Sequence, residues 1–356
     1  MPTEPNQDQS TTTIDTTGTA EPSPAPPLGT SDTMRAIVQK RYGETDVLHL
    51  EETSRPKIAA DEVLVRVRAA GLDRGTWHTM TGRPYLMRIM GFGFRGPKNR
   101  VPGLDVAGTV VEVGVSVTRF AVGDQVFGIS RGSFAAYAAA REDKLALKPP
   151  SLTFEQAAVV PVSGITALQA LRDAGRLQPG QRVLIIGASG GVGSYAVQIA
   201  AALGAHVTGV ASTAKLDLVR SLGAKHVIDY TREDFADGAA HYDLILDIAG
   251  NSTIARLRRV LTPRGTLVIV GGENGGPVTG GIGRQLRAIA LSPFLRHRLT
   301  MQTTKERASD LEPLTNLVET GRIVPTLERA YPLEEVPQAI RHLQAGTVRG
   351  KIAIVP

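Results

Sequence analysis

The chain has no cysteine among its 356 residues, and this absence removes several kinds of chemistry at once. Disulfides, thiolate metal ligands and cysteine nucleophiles are all excluded. The seven histidines are also too scattered to form an H-x-x-H or H-E-x-x-H pair. The sequence therefore predicts no metal site, whether structural or catalytic.

Aromatic residues and long apolar runs are scarce as well. Phe, Trp and Tyr make up 4% of the residues, and no uninterrupted apolar run is long enough to span a bilayer. The N-terminus lacks the basic region followed by an apolar core that marks a secretory signal. We therefore expect a soluble, cytoplasmic protein with no membrane partner.

The net charge of +6 is distributed unevenly. One basic group lies in a stretch without acids, and a second has only Glu306 as a nearby counter-charge. The two groups are Arg83, Arg88, Arg95, Lys98 and Arg100, and Arg284, Arg287, Arg296, Arg298, Lys305 and Arg307. Basic patches can bind nucleic acid, but aromatics are few and no recognition motif occurs. The pattern indicates a solvated surface or one that favours an anionic cofactor, with no nucleic-acid partner.

Residues 1–33 differ in composition from the rest of the chain. They are rich in Thr, Pro, Ser, Gly and acids and have almost no large apolar residue. Such a segment cannot bury enough surface to offset its ordering entropy, so we predict a disordered tail. The remainder is long enough for two domains.

A strand, a glycine-rich turn and a helix follow one another in residues 182–203. The G-x-G-x-x-G pattern has Ala188 at its first position. Glycines let the backbone approach an anion, which the N–H groups and the positive end of the following helix stabilise. The predicted phosphate-binding residues are Gly190, Gly191, Val192 and Gly193.

Further short apolar strands alternate with helices after this turn, at residues 206–211, 227–230, 242–248 and 266–270. This alternation predicts a parallel sheet covered on both faces. The strand at 206–211 ends about 20 residues beyond the glycines, where a side chain meets the adenosine ribose of a dinucleotide. An α/β dinucleotide-binding domain is therefore predicted.

The same glycine turn also satisfies G-x-S-x-G, the elbow that displays a hydrolase serine. Ser189 would be the nucleophile, and Asp247 and His297 follow in the order that such a triad requires. A hydrolase elbow does not need Gly193 or a strand end at ribose distance. The context therefore favours the dinucleotide interpretation.

The residues before the glycine turn have a different texture. Residues 34–38 and 62–69 alternate at period two, as half-buried strands do, and residues 103–128 combine glycines with valines. Short strands with tight glycine turns predict a small, strongly bent barrel. The last residues, 350–355, predict a strand that returns to this barrel.

Several motifs occur in the order typical of the medium-chain dehydrogenase/reductase superfamily. They are residues 69–73 (AAGLD), 103–108 (GLDVAG), 123–128 (GDQVFG), 132–137 (GSFAAY), 164–168 (GITAL), 190–193 (GGVG), 222–224 (LGA) and 350–351 (GK). From residue 34 to 356 the chain resembles the zinc-independent, quinone oxidoreductase-like branch, which is also similar to NADP-dependent alcohol dehydrogenases.

The resemblance implies an α/β fold with a GroES-like β-barrel catalytic domain plus a Rossmann domain with a doubly wound parallel sheet. The expected catalytic domain covers residues 34–157 and 297–356, and the expected Rossmann domain covers residues 158–296. The active site is expected in the cleft between the two domains.

The chain departs from the zinc-dependent members of the superfamily at two ligand positions. By resemblance, Asp73 stands where those members have a cysteine, and Leu104 stands in the place of a histidine. The four-cysteine lobe of the structural zinc is missing too. Hydride transfer without a Lewis acid favours polarised acceptors, namely quinones or α,β-unsaturated carbonyls.

The end of the strand at 206–211 predicts the cofactor. NAD enzymes usually place an acid there to bind the ribose hydroxyls, and this chain has none. Ser212 and Lys215 offer a hydroxyl and a cation instead, and the resemblance adds Tyr230. We therefore predict NADPH over NADH, although Lys215 could simply be a solvated residue.

The resemblance also supplies the residues of the nicotinamide end. They are Thr166, Gly250, Asn251, Val270, Gly271 and Lys351. Candidate proton donors follow Gly71, and they are Asp73, Thr76, His78 and Tyr85. Asp73 could equally be a turn or cap residue, and water could supply the proton. The apolar residues 86–100 could form a lid or pocket wall, or could pack as a surface loop.

Together these features predict a zinc-independent, NADPH-dependent oxidoreductase that acts on a quinone or an α,β-unsaturated carbonyl. Two alternatives stay open: reduction of an aldehyde or ketone, and NADPH sensing without turnover. Residues 299–304 resemble the strand through which family dimers pair, so a homodimer is expected.

Overall fold

The structure, a computed structural model, describes residues 32–272, 276 and 278–356. The strands of this part of the chain are β1 (Thr33–Gln39), β2 (Leu48–Ser54), β3 (Glu62–Leu72), β4 (Asp105–Val113), β5 (Gln125–Ile129), β6 (Tyr137–Arg141), β7 (Leu145–Leu147), β8 (Arg182–Ile186), β9 (His206–Ala211), β10 (His226–Asp229), β11 (Tyr242–Asp247), β12 (Leu261–Ile269), β13 (Arg298–Met301), β14 (Leu327–Pro332) and β15 (Lys351–Val355). The helices are α1 (Arg74–Thr81), α2 (Tyr85–Met87), α3 (Phe154–Ala158), α4 (Pro161–Gln169), α5 (Gly191–Ala202), α6 (Leu216–Ser221), α7 (Ile254–Arg259), α8 (Ile282–Leu291), α9 (Ala308–Glu319) and α10 (Val336–Gln344).

The strands around the glycine turn form one parallel sheet in the order β10-β9-β8-β11-β12-β13. Four of the five residues of β8 are buried, as expected for a strand that is covered on both faces. The chain order reverses direction at β8, between β9 and β11. Ligands bind at the carboxyl ends of the strands at such a point. This sheet confirms the predicted Rossmann-like half of the fold.

The second sheet is built from both parts of the chain that flank the parallel sheet. Its order is β14-β15-β3-β4-β5-β7, with β6 also paired to β3. The last strand pairs antiparallel with β3, since Ile352 lies opposite Leu72. The C-terminal strand therefore returns to the GroES-like barrel, and the predicted fold class is confirmed.

The strand after α8 differs from the predicted domain boundary at residue 297. We expected residues 297–356 to belong to the catalytic domain. β13 instead pairs in parallel with β12, where Thr266 lies opposite Arg298, and it is the outer strand of the parallel sheet. The return to the barrel sheet begins only with β14. The boundary was placed too early because a short apolar strand carries no signal of the sheet that it joins.

Helices α4 and α5 connect the two sheets through a shared apolar core. Ile165 of α4 and Tyr195 of α5 are fully buried in the same cluster as Phe127 and Ile129 of β5. The Tyr195 hydroxyl donates to the carbonyl of Val159, so its polar end is satisfied. This packing holds the glycine turn and the barrel strands together.

Residues Thr33–Pro356 form one compact unit. In the described part of the chain, no helix is long and apolar enough to cross a membrane. The disordered tail was predicted for residues 1–33. Residues 1–31 lie outside the described residues, so the prediction stays untested for them, whereas Thr33 already belongs to β1.

Candidate cofactor site and active site

The glycine turn joins β8 to α5 and leaves the start of the helix open to a ligand. Gly187 has a φ of 88°, and Gly190 precedes the helix without a side-chain cap. A Cβ on Gly193 would lie 2.0 Å from the carbonyl oxygen of Gly187, so only glycine allows this close approach. The uncapped N–H groups of the first turn can bind an anion.

A cavity of about 880 Å³ begins at this turn and extends to the barrel. Many of the predicted cofactor residues line it. They are Thr166, Gly190, Gly191, Val192, Ser212, Lys215, Tyr230, Asn251 and Lys351. Asp73 and Leu104 line it from the barrel side.

The remaining glycines of the prediction lie behind the cavity wall. Gly193 packs against Gly187 as described above. Gly250 has a φ of 71°, and a Cβ there would lie 2.7 Å from Gly271. A Cβ on Gly271 would lie 1.9 Å from the carbonyl oxygen of Ile248, so the loops after β11 and β12 are in backbone contact. Val270 is also absent from the cavity lining. These glycines shape the site by close packing.

At the end of β9, Lys215 is held by the returning chain. Its Nζ donates to the carbonyls of Gly346 (2.6 Å) and Val348 (2.8 Å). Burial lowers the pKa of Lys215, against the raising effect of Glu328. Arg349 makes a second contact between the same two segments, because it donates to the carbonyl of Ala214.

Arg256 of α7 is a cavity residue that the sequence analysis missed. Its guanidinium pairs with Asp234 at 2.6 Å and stacks over the Phe235 ring at 4.7 Å. Its position in the first turn of α7, the helix that follows β11, is the sequence signal that could have identified it. Lys215 and Arg256 are thus two cations that line the cavity.

A buried ion pair lies at the other end of the cavity. Lys351 Nζ is 3.2 Å from Asp105 Oδ2, and both side chains are almost fully buried. Asp105 Oδ1 also accepts from the backbone amide of Val162 at 2.8 Å. Burial raises the pKa of Asp105 to about 7, opposed by Lys351 and assisted by the nearby charge of Asp73.

The chain leaves room for this pair by using glycine. A Cβ on Gly71 would lie 2.7 Å from Asp105 Oδ2, and one on Gly191 would lie 2.9 Å from Lys351 Cδ. The Lys351 side chain therefore packs directly against the glycine turn. From the sequence, Lys351 was predicted as a site residue, whereas Asp105 appeared only within a motif.

The structure shows Asp73 in the cap role, one of the two that were left open for it. Its Oδ1 caps α1 by accepting from the amide of Thr76 at 3.0 Å. Its Oδ2 is buried and has no hydrogen-bond partner among the described residues. Asp73 lines the cavity, and this oxygen is its one polar side-chain atom that is left unpaired there.

The structure does not bring His78 and Tyr85 to the cavity. The Nδ1 atom of His78 contacts the carbonyl of Arg83 at 2.9 Å, and the Tyr85 ring stacks against Arg88. Neither residue lines the cavity, and neither does any residue of the segment 86–100. Both were chosen for their closeness in sequence to Gly71, but α1 carries the chain away from the cleft.

The hydrolase triad is not assembled either. Asp247 is buried, pairs with Arg284 and accepts from the amide of Gly250 at 3.1 Å. His297 faces Arg258 at 3.4 Å. Ser189 therefore has neither residue as a partner.

Among the described residues, no group of three or more His, Cys, Asp or Glu side chains could hold a metal ion. Thr166, which lines the cavity, contributes a hydroxyl group there. Its Oγ1 donates to the carbonyl of Val162 at 2.7 Å and lies 3.0 Å from Thr304 Oγ1.

Comparison with known proteins agrees with this geometry. Residues 59–150 match the alcohol dehydrogenase GroES-like domain, and residues 222–354 match a family described as zinc-binding dehydrogenase. The chain is 32% identical over 341 residues to a 2-methylene-furan-3-one reductase of Solanum lycopersicum, with 91% of this chain and 79% of the relative covered. It is also 32% identical to an NADPH-dependent alkenal/one oxidoreductase of Arabidopsis thaliana, covering 91% and 80% of the two chains.

A solved structure, the quinone oxidoreductase from Coxiella burnetii, superimposes with a TM-score of 0.81 at 29% identity. The match covers 91% of this chain and 99% of that one. The similarity therefore extends over both sheets and the cavity between them.

Proposed function

The chain belongs to the medium-chain dehydrogenase/reductase superfamily, in its quinone oxidoreductase-like branch, and we propose that it transfers hydride from NADPH to a quinone or an α,β-unsaturated carbonyl. It is an NAD(P)-dependent oxidoreductase. The observation that carries the proposal is one continuous cavity lined by the glycine turn, Lys351 and Asp73, whose Oδ2 is unpaired. The names of the tomato and Arabidopsis relatives and of the Coxiella structure support this class of acceptor.

The preference for NADPH follows from the charges at the adenosine end. No acid stands at the end of β9, and a 2′-phosphate would meet Ser212, Lys215 and Arg256. Lys215 already donates to two carbonyls, so it offers the phosphate one remaining N–H. Arg256 supplies the second cation.

Replacing Ser212 with Asp tests this preference. The new carboxylate repels a 2′-phosphate and accepts from a ribose hydroxyl, so the ratio of the NADPH and NADH dissociation constants should move toward NADH by about a hundred-fold. Ser212→Ala is the matched control, because it removes the hydroxyl without adding charge. An unchanged ratio in Ser212→Asp would contradict the assignment.

When bound, NADPH supplies the hydride, and the chain's residues position the reactants. The first turn of α5 would hold the phosphates, and Lys351 packs against Gly191 of the same turn. Asp73 Oδ2 would accept a hydrogen bond from a hydroxyl in the cleft and so orient the substrate or the water that supplies the proton. Leu104 keeps the wall apolar where zinc-dependent members carry a ligand, so we propose that the reaction needs no zinc.

The first experiment is turnover by protein freed of metal with a chelator. NADPH or NADH is mixed with a quinone, an enone and an aldehyde, and absorbance at 340 nm is followed. Oxidation of NADPH by the quinone or enone is expected. Reduction of the aldehyde alone would indicate a carbonyl reductase, and tight NADPH binding without turnover would indicate a sensor.

A further inference from the structure

Residues 85–100, called here the apolar loop, form a long segment that has no part in the cavity or in the proposed reaction. It contains one turn of α helix at Tyr85–Met87 and a wider turn at Arg88–Phe92. No Asp or Glu occurs anywhere between Asp73 and Asp105. The apolar loop is therefore basic as well as apolar.

Four large apolar side chains of this loop point into solvent. Ile89 is 75% exposed, Met90 67% and Phe94 74%, and Phe92 is also exposed. Monomeric soluble proteins rarely expose such side chains side by side, and a patch of this kind marks an interaction site.

The backbone beneath these side chains is held firmly, so their exposure is not the result of a loose loop. The Tyr42 hydroxyl donates to the carbonyl of Gly93 at 2.7 Å, and the amide of Lys98 donates to the carbonyl of Phe92. Arg88 donates to the carbonyl of Gly82 and stacks on Tyr42 at 4.4 Å. The loop is thus a preorganised protrusion.

Three exposed cations follow the exposed apolar residues along the chain. Arg95, Lys98 and Arg100 have no ion-pair partner among the described residues. Arg83, just before the loop, lies 3.9 Å from Glu44. The loop therefore combines exposed apolar side chains with cations that no acid among the described residues pairs with.

We propose that the apolar loop docks on the surface of an anionic lipid bilayer. Phe, Ile and Met side chains would enter the interface between headgroups and acyl chains, and the three cations would contact anionic headgroups. The expectation of no membrane partner concerned spanning segments, and peripheral docking needs none.

The loop also has a fixed position relative to the cleft. It follows α1, which begins directly after the cavity residue Asp73, and the amide of Leu86 donates to the carbonyl of Val278 near the start of α8. Docking would hold the part of the molecule that carries the apolar loop close to the bilayer. Docking would also bring the enzyme close to an acceptor dissolved in the bilayer, and this part of the inference rests on the proposed function. Binding of the protein to lipid does not.

Sedimentation of the full chain with vesicles tests the proposal. We expect binding to vesicles of phosphatidylglycerol and phosphatidylcholine in low salt, and release in high salt. Arg95→Gln, Lys98→Gln and Arg100→Gln together should weaken binding by about a hundred-fold, at about five-fold for each cation. Ile89→Ser with Phe94→Ser should weaken it by at least about ten-fold.

Two control variants use residues outside the loop. Val122→Ser replaces another exposed apolar residue, and Lys57→Gln another exposed lysine. Both should bind like the unmodified chain. Failure of the unmodified chain to bind the anionic vesicles would overturn the proposal, as would equal binding by the loop variants.

A change of oligomeric state in Ile89→Ser with Phe94→Ser would also overturn it, because a second copy of the chain would then cover the loop. None of these measurements involves turnover, so their failure is distinguishable from failure of the proposed function.

Discussion

The buried pair of Asp105 and Lys351 concentrates the electrostatics of the site in two residues. Taking two charges out of water is unfavourable, and their attraction offsets it only while both are present. Removing one partner leaves the other unpaired. Single replacement at either position should therefore be much more harmful than joint replacement.

A double-mutant cycle measures this coupling. Asp105→Asn and Lys351→Met should each lower the free energy of unfolding by about 3–5 kcal/mol, and the double variant by clearly less than their sum. Urea unfolding followed by the fluorescence of Trp77, the single tryptophan, gives the values. Purely additive losses would show that the pair is not coupled.

The raised pKa of Asp105 also predicts how stability depends on pH. A carboxyl group with a pKa of about 7 in the folded chain and 3.8 when unfolded binds more protons in the native state between these values. Its contribution is therefore complete below pH 3.8 and is lost as the pH rises through 7. Relative to Asp105→Asn, the unfolding free energy should fall by up to about 1.4 kcal/mol per pH unit between pH 5 and 7. A flat difference across this range would be the contrary result.

At the residue scale, residue type and spacing pointed to Gly190 and Ser212, and both line the cavity; their roles in cofactor binding stay predictions. Sequence reasoning missed Asp105 as a partner of Lys351 because 246 residues separate them. The pairing of β3 with both β15 and β4 brings the two together. It also placed His78 and Tyr85 in the site, because the direction in which α1 leaves the cleft is not encoded in local spacing.

At the scale of elements, two nearby positions of the glycine turn differ sharply in the space that they leave for a side chain. A Cβ at Gly193 would lie 2.0 Å from the backbone of Gly187, whereas one at Gly190 would find its nearest atom at 3.6 Å. Gly190 faces the cavity and Gly193 faces the strand. The two positions therefore separate ligand binding from folding.

Gly193→Ala should lower the free energy of unfolding by about 1–3 kcal/mol, because the turn must shift to admit the methyl group. Gly190→Ala should leave stability unchanged and weaken NADPH binding by about ten-fold, because the methyl group meets the phosphates. Thermal unfolding and a fluorescence titration with NADPH provide the two measurements. Equal behaviour of the two variants would show that the turn does not separate these roles.

Element prediction located two short strands of the parallel sheet to within one residue at each end. The strands expected at residues 227–230 and 242–248 are found at His226–Asp229 and Tyr242–Asp247. It failed at residue 297, because β13 is short and its sheet is decided by pairing with β12. The sequence of residues 86–100 fitted either a wall of the pocket or a surface loop. Tertiary contacts decide between the two, such as the hydrogen bond from the Tyr42 hydroxyl to the carbonyl of Gly93.

At the scale of the whole molecule, the parallel sheet ends at β13 in an edge that needs a covering. α8 packs beside this strand, and several of its apolar residues are exposed together with Phe294 of the turn that follows. The exposed residues are Leu286, Ile289, Leu291 and Phe294. An unpaired edge beside an apolar face is suited to pairing with a second copy. The homodimer expected from residues 299–304 therefore stays a prediction with a defined surface.

One substitution tests this surface without disturbing the fold. The amide of Gln302 donates to the carbonyl of Ile269 in β12, so by alternation the amide of Met301 faces the open edge. Met301→Pro removes that donor and should convert a dimer to a monomer in light scattering, with circular dichroism and NADPH binding retained. Thr300→Pro is the contrasting variant, since its amide faces β12 and its loss should destabilise the sheet itself. A Met301→Pro protein that remained dimeric would place the subunit contact elsewhere, and a monomeric unmodified chain would leave β13 as a natural edge.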